Sequence, residues 1–250
     1  MVSAMKERLD KVLVDREFLE SRTRAAAMIM AGHVFVNGQR VDKAGTKIRP
    51  DSVIEVKGDR NPYASRGGLK LEAALKAFEY ECKDKVVIDV GASTGGFTDC
   101  VLQHGALKVY AVDVGYGQIA WKLRTDERVI NMERVNIRHL ESDAIPERCD
   151  LAVIDCSFIS IGKVLPNTLT FLKPTADIIA LIKPQFEVGP RHIARGGVVR
   201  DQDARTSAIE DAIEEARVLG FDHVNGIDCP VHGPAGNIEY LVWLRRVENT

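Results

Sequence analysis

The chain has 250 residues, of which 45% are hydrophobic and 28% are charged, and its formal net charge is −2. This balance excludes a disordered or fibrous chain, and the longest apolar runs fall far short of the roughly 20 residues that cross a bilayer. The N-terminal residues carry charges throughout and lack the apolar stretch of a secretion signal, so the sequence predicts a cytoplasmic protein.

Charge is distributed unevenly along the chain. Residues 1–60 carry 12 lysines and arginines against 9 acidic residues, whereas the remaining residues carry 22 against 27. A basic segment on an acidic body indicates contact with a polyanion, and ordinary solvated charge is the alternative. The five cysteines form no C-x-x-C pair, so we expect buried reduced thiols, no disulfide framework and no metal site.

The N-terminal segment predicts a small α+β module. Apolar residues recur at helical spacing over residues 8–18, and Ser21 can cap a second helix. Residues 33–41 alternate around an Asn-Gly pair, which is a strong signal for a two-residue hairpin turn. Residues 52–56 supply one more strand. We therefore expect a first domain over residues 1–58.

A polar segment without periodicity, residues 59–65, predicts a linker, and a helical pattern returns at its end to begin a second domain over residues 66–250. From residue 85 onward strands and helices alternate. The expected strands are residues 85–90, 108–114, 128–132, 150–156, 177–183, 222–228 and 239–244. Continuous apolar runs of this kind fit strands buried on both faces. The pattern predicts an α/β fold with a Rossmann-like, doubly wound sheet, and the short Pro- and Gly-rich final connection predicts an antiparallel last strand.

A glycine-rich turn follows the first strand of this sheet. The strand ends near Asp89, and Gly91, Gly95 and Gly96 allow a tight turn and close approach of the backbone to a ligand. Asp113 ends the next strand, where a doubly wound nucleotide site places the carboxylate that binds ribose hydroxyls. The spacing is not that of a dinucleotide site, and Asp89 suits a positively charged ligand. S-adenosylmethionine fits this charge; a purely structural turn is the alternative.

Four further charged residues are expected around the same edge of the sheet. Asp155 and Lys183 lie at predicted strand ends, and Glu239 begins a strand whose antiparallel direction would bring it to the same edge. Lys70 precedes the sheet and can close the cleft from one side. A single such residue is more often a solvated boundary residue, but two lysines and two carboxylates beside a cofactor loop favour a catalytic site.

The chemistry that these residues fit is attack by a ribose 2′-hydroxyl on an electrophilic methyl group. A lysine that is crowded by another cation and partly desolvated can act as the base, and Lys183 is the candidate. Asp155 and Glu239 would orient the lysines, while Lys70 would position the hydroxyl or a phosphate. Alignment of the oxygen with the methyl–sulfur bond would contribute much of the rate.

Seven segments together resemble a known family. They are RLDKVLVDREFLESRTRAAAMIMAGHVFVNG, ASRGGLKLEAAL, VIDVGASTGGFTDC, AVDVGYGQ, IDCSFIS, LIKPQFE and GNIEYL. Residues 6–58 resemble the S4 RNA-binding domain, and residues 66–246 resemble the FtsJ-like methyltransferases of ribose 2′-oxygens. This order is similar to the TlyA family, the S4-domain ribosomal RNA 2′-O-methyltransferases that are also labelled haemolysin A-like.

The resemblance implies a cofactor, a substrate and site residues. S-adenosyl-L-methionine would donate the methyl group and cytidine ribose in ribosomal RNA, free or in subunits, would accept it. The family's catalytic tetrad would fall on Lys70, Asp155, Lys183 and Glu239. Cofactor contacts would come from Asp89, Gly91, Ala92, Ser93, Gly95, Gly96, Asp113 and Val114. RNA-backbone contacts would come from Arg8, Arg22, Arg24 and Arg40.

Other features leave alternatives open. Phe158 and Phe186 follow two strand ends and either pack in the core, which we favour, or stack on a flipped base. Residues 189–201 are rich in Gly and Arg and form either a loop that closes over the cleft or an ordinary solvated loop. The competing functions are an RNA-binding scaffold with an inactive methyltransferase fold and a membrane-active haemolysin; we expect no membrane contact and, by default, a monomer.

Overall fold

The computed structural model describes residues 6–16, 18–19, 21–57, 61–194, 196–233 and 236–246. The chain divides into two units between Arg60 and Asn61, within the segment predicted as a linker. The first unit has one hydrophobic core, and the second has a core on each face of its sheet. No described helix is long and apolar enough to cross a membrane.

The first unit packs two helices against short antiparallel strands. Its elements are β1 (Glu7–Arg8), α1 (Leu9–Asp15), α2 (Arg22–Met30), β2 (Val34–Val36), β3 (Gln39–Val41), β4 (Lys47–Ile48) and β5 (Ile54–Val56). β2 lies between β3 and β5, and β1 pairs with β4. The predicted cap at Ser21 is confirmed, because its Oγ accepts a hydrogen bond from the Arg24 N–H at 3.2 Å.

The predicted hairpin is also confirmed. Asn37 and Gly38 both have positive φ angles, 50° and 78°, as a two-residue turn between β2 and β3 requires. The first helix is shorter than predicted and ends at Asp15. The pairing of β1 with β4 was not predicted, because two-residue strands are too short to show an alternating pattern.

The second unit is a seven-stranded sheet with helices on both faces. Its elements are α3 (Arg66–Ala77), β6 (Val86–Val90), α4 (Gly96–Gln103), β7 (Lys108–Asp113), α5 (Trp121–Arg124), β8 (Val129–Glu133), β9 (Cys149–Ile154), α6 (Leu165–Thr168), β10 (Leu172–Ile182), α7 (Pro184–Glu187), α8 (Gln202–Val218), β11 (Phe221–Asp228) and β12 (Tyr240–Arg246). The strand order is β11-β12-β10-β9-β6-β7-β8. The five strands β10, β9, β6, β7 and β8 are parallel to one another. β12 is antiparallel to both β10 and β11.

This topology confirms the predicted α/β fold and its antiparallel last strand. Each predicted strand is present with ends shifted by one or two residues, apart from β10, which begins five residues earlier than predicted. The extra residues span a register shift between Leu172 and Asp177, so they do not follow the regular pairing of the strand with β9. All five cysteines are free; four are buried and Cys156 is partly buried, as the sequence predicted.

The packing of α3 on α4 sets the position of α3 above the sheet. A Cβ atom at Gly96 would lie 2.3 Å from Ser65 Oγ and 2.9 Å from the backbone nitrogen of Gly68. Only a glycine lets the start of α4 approach the start of α3 this closely. Because the carboxyl ends of β6, β9 and β10 lie at one edge of the sheet, this contact brings α3 to the edge where polar residues were predicted.

Candidate active site

Two buried ion pairs lie at the carboxyl edge of the sheet. Lys70 Nζ lies 2.5 Å from Glu239 Oε2, and Lys183 Nζ lies 2.6 Å from Asp155 Oδ1. Lys183 Nζ also donates a hydrogen bond to Ser157 Oγ at 2.8 Å. Each lysine therefore has its own carboxylate, and the structure brings together all four residues that the sequence predicted at this edge.

Four different elements deliver these side chains. Asp155 follows β9, and its N–H donates to the carbonyl of Val90 at the end of β6, 3.0 Å away. Lys183 follows β10 and precedes α7. Lys70 projects from the second turn of α3, a helix capped by Ser65. Burial of a charged lysine amine costs free energy, and the cost is much larger when the charge has no partner. The two carboxylates therefore explain how the fold accommodates both lysines.

The two pairs share one cavity, which we call the Lys183 cavity. Its volume is about 670 Å³. Besides the four charged residues, it is lined by the glycine turn, the start of α3 and two loops; these residues include Arg66, Gly91, Ala92, Ser93, Gly96, Phe158, Gln185, Phe186, Gly196, Gly197 and Asn237. A cavity of this size is typical of a ligand site.

The glycine turn after β6 follows the backbone of the neighbouring loop closely. Gly91 has a φ of 88°, and a Cβ atom there would lie 2.8 Å from the carbonyl oxygen of Asp155. Gly95, at the start of α4, has a φ of 90°. Ser93 also has a positive φ, 51°, and its N–H donates to Asp113 Oδ2 at 2.8 Å. The turn therefore packs closely against the backbone of Asp155, and its conformation is stabilised by the hydrogen bond to Asp113.

A second cavity of about 460 Å³ adjoins the first; we call it the Asp113 cavity. Asp113 and Val114 line it, as do Gly91, Ser93 and Asp155, which the two cavities share. The Asp113 carboxylate accepts one backbone hydrogen bond on each oxygen, from Ser93 and from Gly115. Each oxygen keeps a lone pair with which it can accept a hydrogen bond from a ligand hydroxyl.

Asp89 lies beneath the glycine turn rather than on a cavity wall. It is fully buried, and its Oδ2 accepts a hydrogen bond from Thr98 Oγ1 at 2.6 Å. Its Oδ1 has no hydrogen-bond partner. Burial is the main reason that the pKa of Asp89 is raised to about 7, and the neighbouring carboxylates Asp155 and Asp113 contribute to this rise.

These residues fit a cationic nucleoside ligand. The unpaired oxygen of Asp89 and the carboxylates of Asp113 and Asp155 make the region of the turn acidic, which favours a positive charge. The glycine backbone leaves room for close contact, and Asp113 can accept hydrogen bonds from a ribose. The charge of S-adenosylmethionine is of this kind, and no described group of acidic, histidine or cysteine side chains is arranged to hold a metal.

The sequence model of the FtsJ-like methyltransferases matches residues 63–246, and that of the S4 domain matches residues 7–54. The chain belongs to the FtsJ-like methyltransferase family. The resemblance to the TlyA family is confirmed as well, because relatives in this group share both domains over nearly their full length.

Two relatives and one solved structure illustrate the similarity. The YqxC protein of Bacillus subtilis is 47% identical over 97% of this chain and 87% of its own. The 16S/23S rRNA (cytidine-2′-O)-methyltransferase TlyA of Mycobacterium tuberculosis is 43% identical over 97% of this chain and 91% of its own. The structure of a Streptococcus thermophilus protein that is named as a hemolysin covers 98% of this chain and 90% of its own, at 42% identity and a TM-score of 0.77.

Phe158 is not a core residue of this FtsJ-like domain, so the favoured packing hypothesis was wrong for it. Its side chain is 89% exposed, and its φ of 65° is unusual for a bulky residue. It borders both cavities and lies against Phe186 with a ring-centroid distance of 5.1 Å. Strained backbone of this kind is concentrated at functional sites, so an exposed ring here favours a ligand contact.

Some residues around the two cavities were missed by the sequence analysis. Ser157 contacts Lys183, and its position two residues after Asp155 was a usable signal, because it lies at the same strand end. Asn136 and Arg138 line the Asp113 cavity from a 3₁₀ turn, Ile137–His139, that follows β8. No periodic pattern marks so short a turn. Asn237 lines the Lys183 cavity two residues before Glu239.

The predicted RNA-contacting arginines lie in the first unit, and two of them share a carboxylate. Arg8 and Arg22 both pair with the buried Asp10, at 2.9 and 3.0 Å, while their side chains stay more than half exposed. The two guanidinium groups hold the pKa of Asp10 well below its usual range. Arg40 lies over Gly32 on the exposed surface, and Arg24 is half-buried on α2.

The raised pKa of Asp89 gives a prediction about stability. Between about pH 4 and pH 7 the folded protein holds a proton on Asp89 that the unfolded chain has lost, so the free energy of unfolding falls as the pH rises through this window. Asp89→Asn removes this titration. The stability of the variant relative to wild type should rise by on the order of 2 to 4 kcal/mol from pH 4 to pH 7 and stay level above it.

Urea denaturation at each pH measures this difference in stability. Tryptophan fluorescence is a suitable signal, because both tryptophans lie in the second unit. Asp143→Asn, at an exposed aspartate, is the matched control and should show no such trend. Parallel pH profiles for wild type and Asp89→Asn would contradict the assignment.

Proposed function

We propose that the protein transfers a methyl group from S-adenosylmethionine to the 2′-oxygen of a cytidine ribose in ribosomal RNA. The observation that carries this proposal is the convergence of two lysine–carboxylate pairs on one cavity beside the glycine turn. The FtsJ-like family and the activity named for the Mycobacterium tuberculosis relative support it. A ribosomal RNA substrate supports the predicted cytoplasmic location. The monomeric state and the limits of the two domains stay predictions.

The cofactor supplies an electrophilic methyl group when it is bound. Asp113 is suited to accept hydrogen bonds from its ribose, with Val114 beside it on the wall of the Asp113 cavity. The backbone of Gly91, Ala92 and Ser93 is suited to its methionine portion, because these residues line the neighbouring Lys183 cavity. Asp89 lies beneath the turn rather than on the cavity wall, and a cation bound at the turn would favour its ionised form.

Lys183 is the group that we assign to the proton of the attacking hydroxyl. Its Nζ is fixed by two contacts, with Asp155 and Ser157, so it points into the cavity in one orientation. In the ion pair with Asp155, Lys183 is an ammonium group, so it must first release a proton to solvent. The resulting amine takes the proton of the 2′-hydroxyl as the oxygen–methyl bond forms and the methyl–sulfur bond breaks. This proton restores the ion pair with Asp155 without movement of either side chain. Positioning of this kind is a large part of catalysis by proximity.

Lys70 is assigned a binding role in the same cavity. Its side chain is almost fully buried and its amine pairs with Glu239, which is 1% exposed. The amine can donate further hydrogen bonds, since an ammonium group has three protons and the contact with Glu239 uses one. It would hold the attacking oxygen or an adjacent phosphate oxygen. Phe158, exposed at the mouth of both cavities, offers a face on which the unstacked base can lie.

The competing functions have weaker support. An inactive scaffold would have no need of two ion pairs at one cavity with three of the four side chains buried, since buried pairs add little to stability. The name hemolysin belongs to a relative of this chain. The ion-pair geometry described above fits methyl transfer and gives no specific support to membrane lysis.

Substitution of Lys183 tests the proposed chemistry. Lys183→Met keeps the aliphatic stem but removes the amine, so methyl transfer to ribosomal subunits or their RNAs should fall by at least about 100-fold. The dissociation constant for S-adenosylmethionine should change less than about twofold, because the cofactor residues are intact. Lys76→Met, at an exposed lysine of α3, is the matched control. Equal loss of activity and cofactor affinity in Lys183→Met would reject its role as the base.

Salt dependence tests the contact of the first unit with RNA. Arg22→Ala should weaken RNA binding and reduce the slope of log K against log salt concentration by about 1, the change expected for one lost phosphate contact. Arg217→Ala, at an exposed arginine of α8, removes the same charge elsewhere and should leave the slope unchanged. Filter binding over a range of KCl concentrations measures both. An unchanged slope for Arg22→Ala would remove this residue from the RNA interface.

A further inference from the structure

The wall of the Lys183 cavity opposite the glycine turn has no assigned role apart from Glu239. Gly196 and Gly197, which we call the glycine wall, form part of it, and Asn237 and Glu239 form another part. Gly196 and Gly197 both have positive φ angles, 92° and 79°. The wall is therefore bare backbone in a conformation that favours glycine. The Gly197 N–H donates to the Ala194 carbonyl at 3.0 Å, and a neighbouring side chain adds further contacts.

Asn237 provides that support with both ends of its amide. Its Oδ1 accepts a hydrogen bond from the N–H of Val199 at 2.9 Å, and its Nδ2 donates to the carbonyl of Gly197 at 2.8 Å. The residue is 3% exposed. An aspartate could accept from Val199 but would place a carboxylate oxygen against the Gly197 carbonyl. Only a side-chain amide satisfies both backbone groups at this length.

The segment that bears Asn237 is fixed at each of its residues. The carbonyl of Asn237 accepts from the N–H of Gly233 at 3.0 Å. The carbonyl of Ile238 accepts from Arg205 Nε at 3.1 Å, and that of Glu239 accepts from the Cys229 N–H at 2.8 Å. Asn237 and Glu239 are buried at the cavity, whereas Ile238 between them is exposed. The side chains of Asn237 and Glu239 thus belong to one rigid piece of backbone.

We propose that Asn237 is a positioning residue that fixes the glycine wall relative to Glu239 and, through Glu239, relative to Lys70. Its effect should fall on RNA, because neither Asn237 nor the glycine wall lines the Asp113 cavity, where the cofactor ribose is placed, and neither belongs to the glycine turn that is assigned to the methionine portion. The inference rests on the proposed function for its substrate. Loss of the amide should therefore impair methyl transfer to RNA while leaving cofactor binding intact.

Kinetics with Asn237→Ala and Asn237→Asp test this division. Each should lower kcat/KM for RNA by about 10-fold to 100-fold, the effect of two lost neutral hydrogen bonds, with the dissociation constant for S-adenosylmethionine within about twofold of wild type. Asn237→Asp should be at least as impaired as Asn237→Ala, since its carboxylate opposes the Gly197 carbonyl. The matched controls Asn225→Ala and Asn225→Asp change an exposed asparagine of β11 and should behave as wild type.

Hydrogen exchange supplies a readout that does not depend on activity. In Asn237→Ala, peptides that cover residues 196–201 should exchange faster than in wild type, because the Val199 N–H has lost its acceptor, while peptides from β6 and β7 should be unchanged. Unaltered exchange, full activity of Asn237→Ala, or loss of cofactor affinity in step with activity would each overturn the inference. A wild type that methylates no RNA would contradict the proposed function, and the exchange result would still decide whether Asn237 holds the glycine wall.

Discussion

The ion pair between Lys70 and Glu239 is the constraint on which the second unit depends. The two residues are 169 positions apart in the chain, and their contact joins α3 to the start of β12. A buried pair of this kind adds little net stability, but removal of either partner leaves an uncompensated charge. The structure must therefore keep α3, β12 and the carboxyl edge of the sheet in one arrangement, and the same arrangement presents both lysine amines to one cavity.

Two opposite electrostatic requirements meet in this small region. Asp89, Asp113 and Asp155 make the side of the glycine turn acidic, which suits a cationic cofactor. In the proposed function, Lys70 and Lys183 act on the polyanionic RNA. Each lysine is paired with a carboxylate, and Lys183 Nζ also donates a hydrogen bond to Ser157 Oγ, so both amines are held in fixed positions at the cavity. The proposal thus assigns the cationic cofactor to the glycine turn and the RNA to the lysines within two adjoining cavities.

Much of this could be predicted because it follows from local patterns. Continuous apolar runs indicate the buried strands, and the rule that parallel strands end at one edge of a sheet predicts that Asp155 and Lys183 lie close together. The antiparallel direction of β12 placed Glu239 at the same edge. The Asn-Gly pair and Ser21 fixed a turn and a helix start through backbone chemistry that involves only a few neighbouring residues.

The remaining features depend on contacts between distant segments. The exposed position of Phe158 follows from an unusual backbone angle, and aromatic residues after buried strands are more often packed inside. Asp89 was expected at the ligand, but whether its side chain faces a cavity or lies beneath the turn depends on the contact with Thr98 in α4. The role of Asn237 depends on the Val199 N–H and the Gly197 carbonyl, which lie about 40 positions earlier in the chain. No sequence pattern predicts contacts between segments so far apart.

The most direct test of methyl transfer to a ribose oxygen uses S-adenosylmethionine labelled in its methyl group. The protein is incubated with small subunits, large subunits and the corresponding free RNAs, and the RNA is then hydrolysed in alkali. A 2′-O-methyl group blocks cleavage at its own phosphodiester, so the account predicts that the label appears in an alkali-resistant dinucleotide that contains cytidine. Label in single nucleotides would mean that a base is methylated, and it would contradict the assignment of Lys183 to the proton of a ribose hydroxyl.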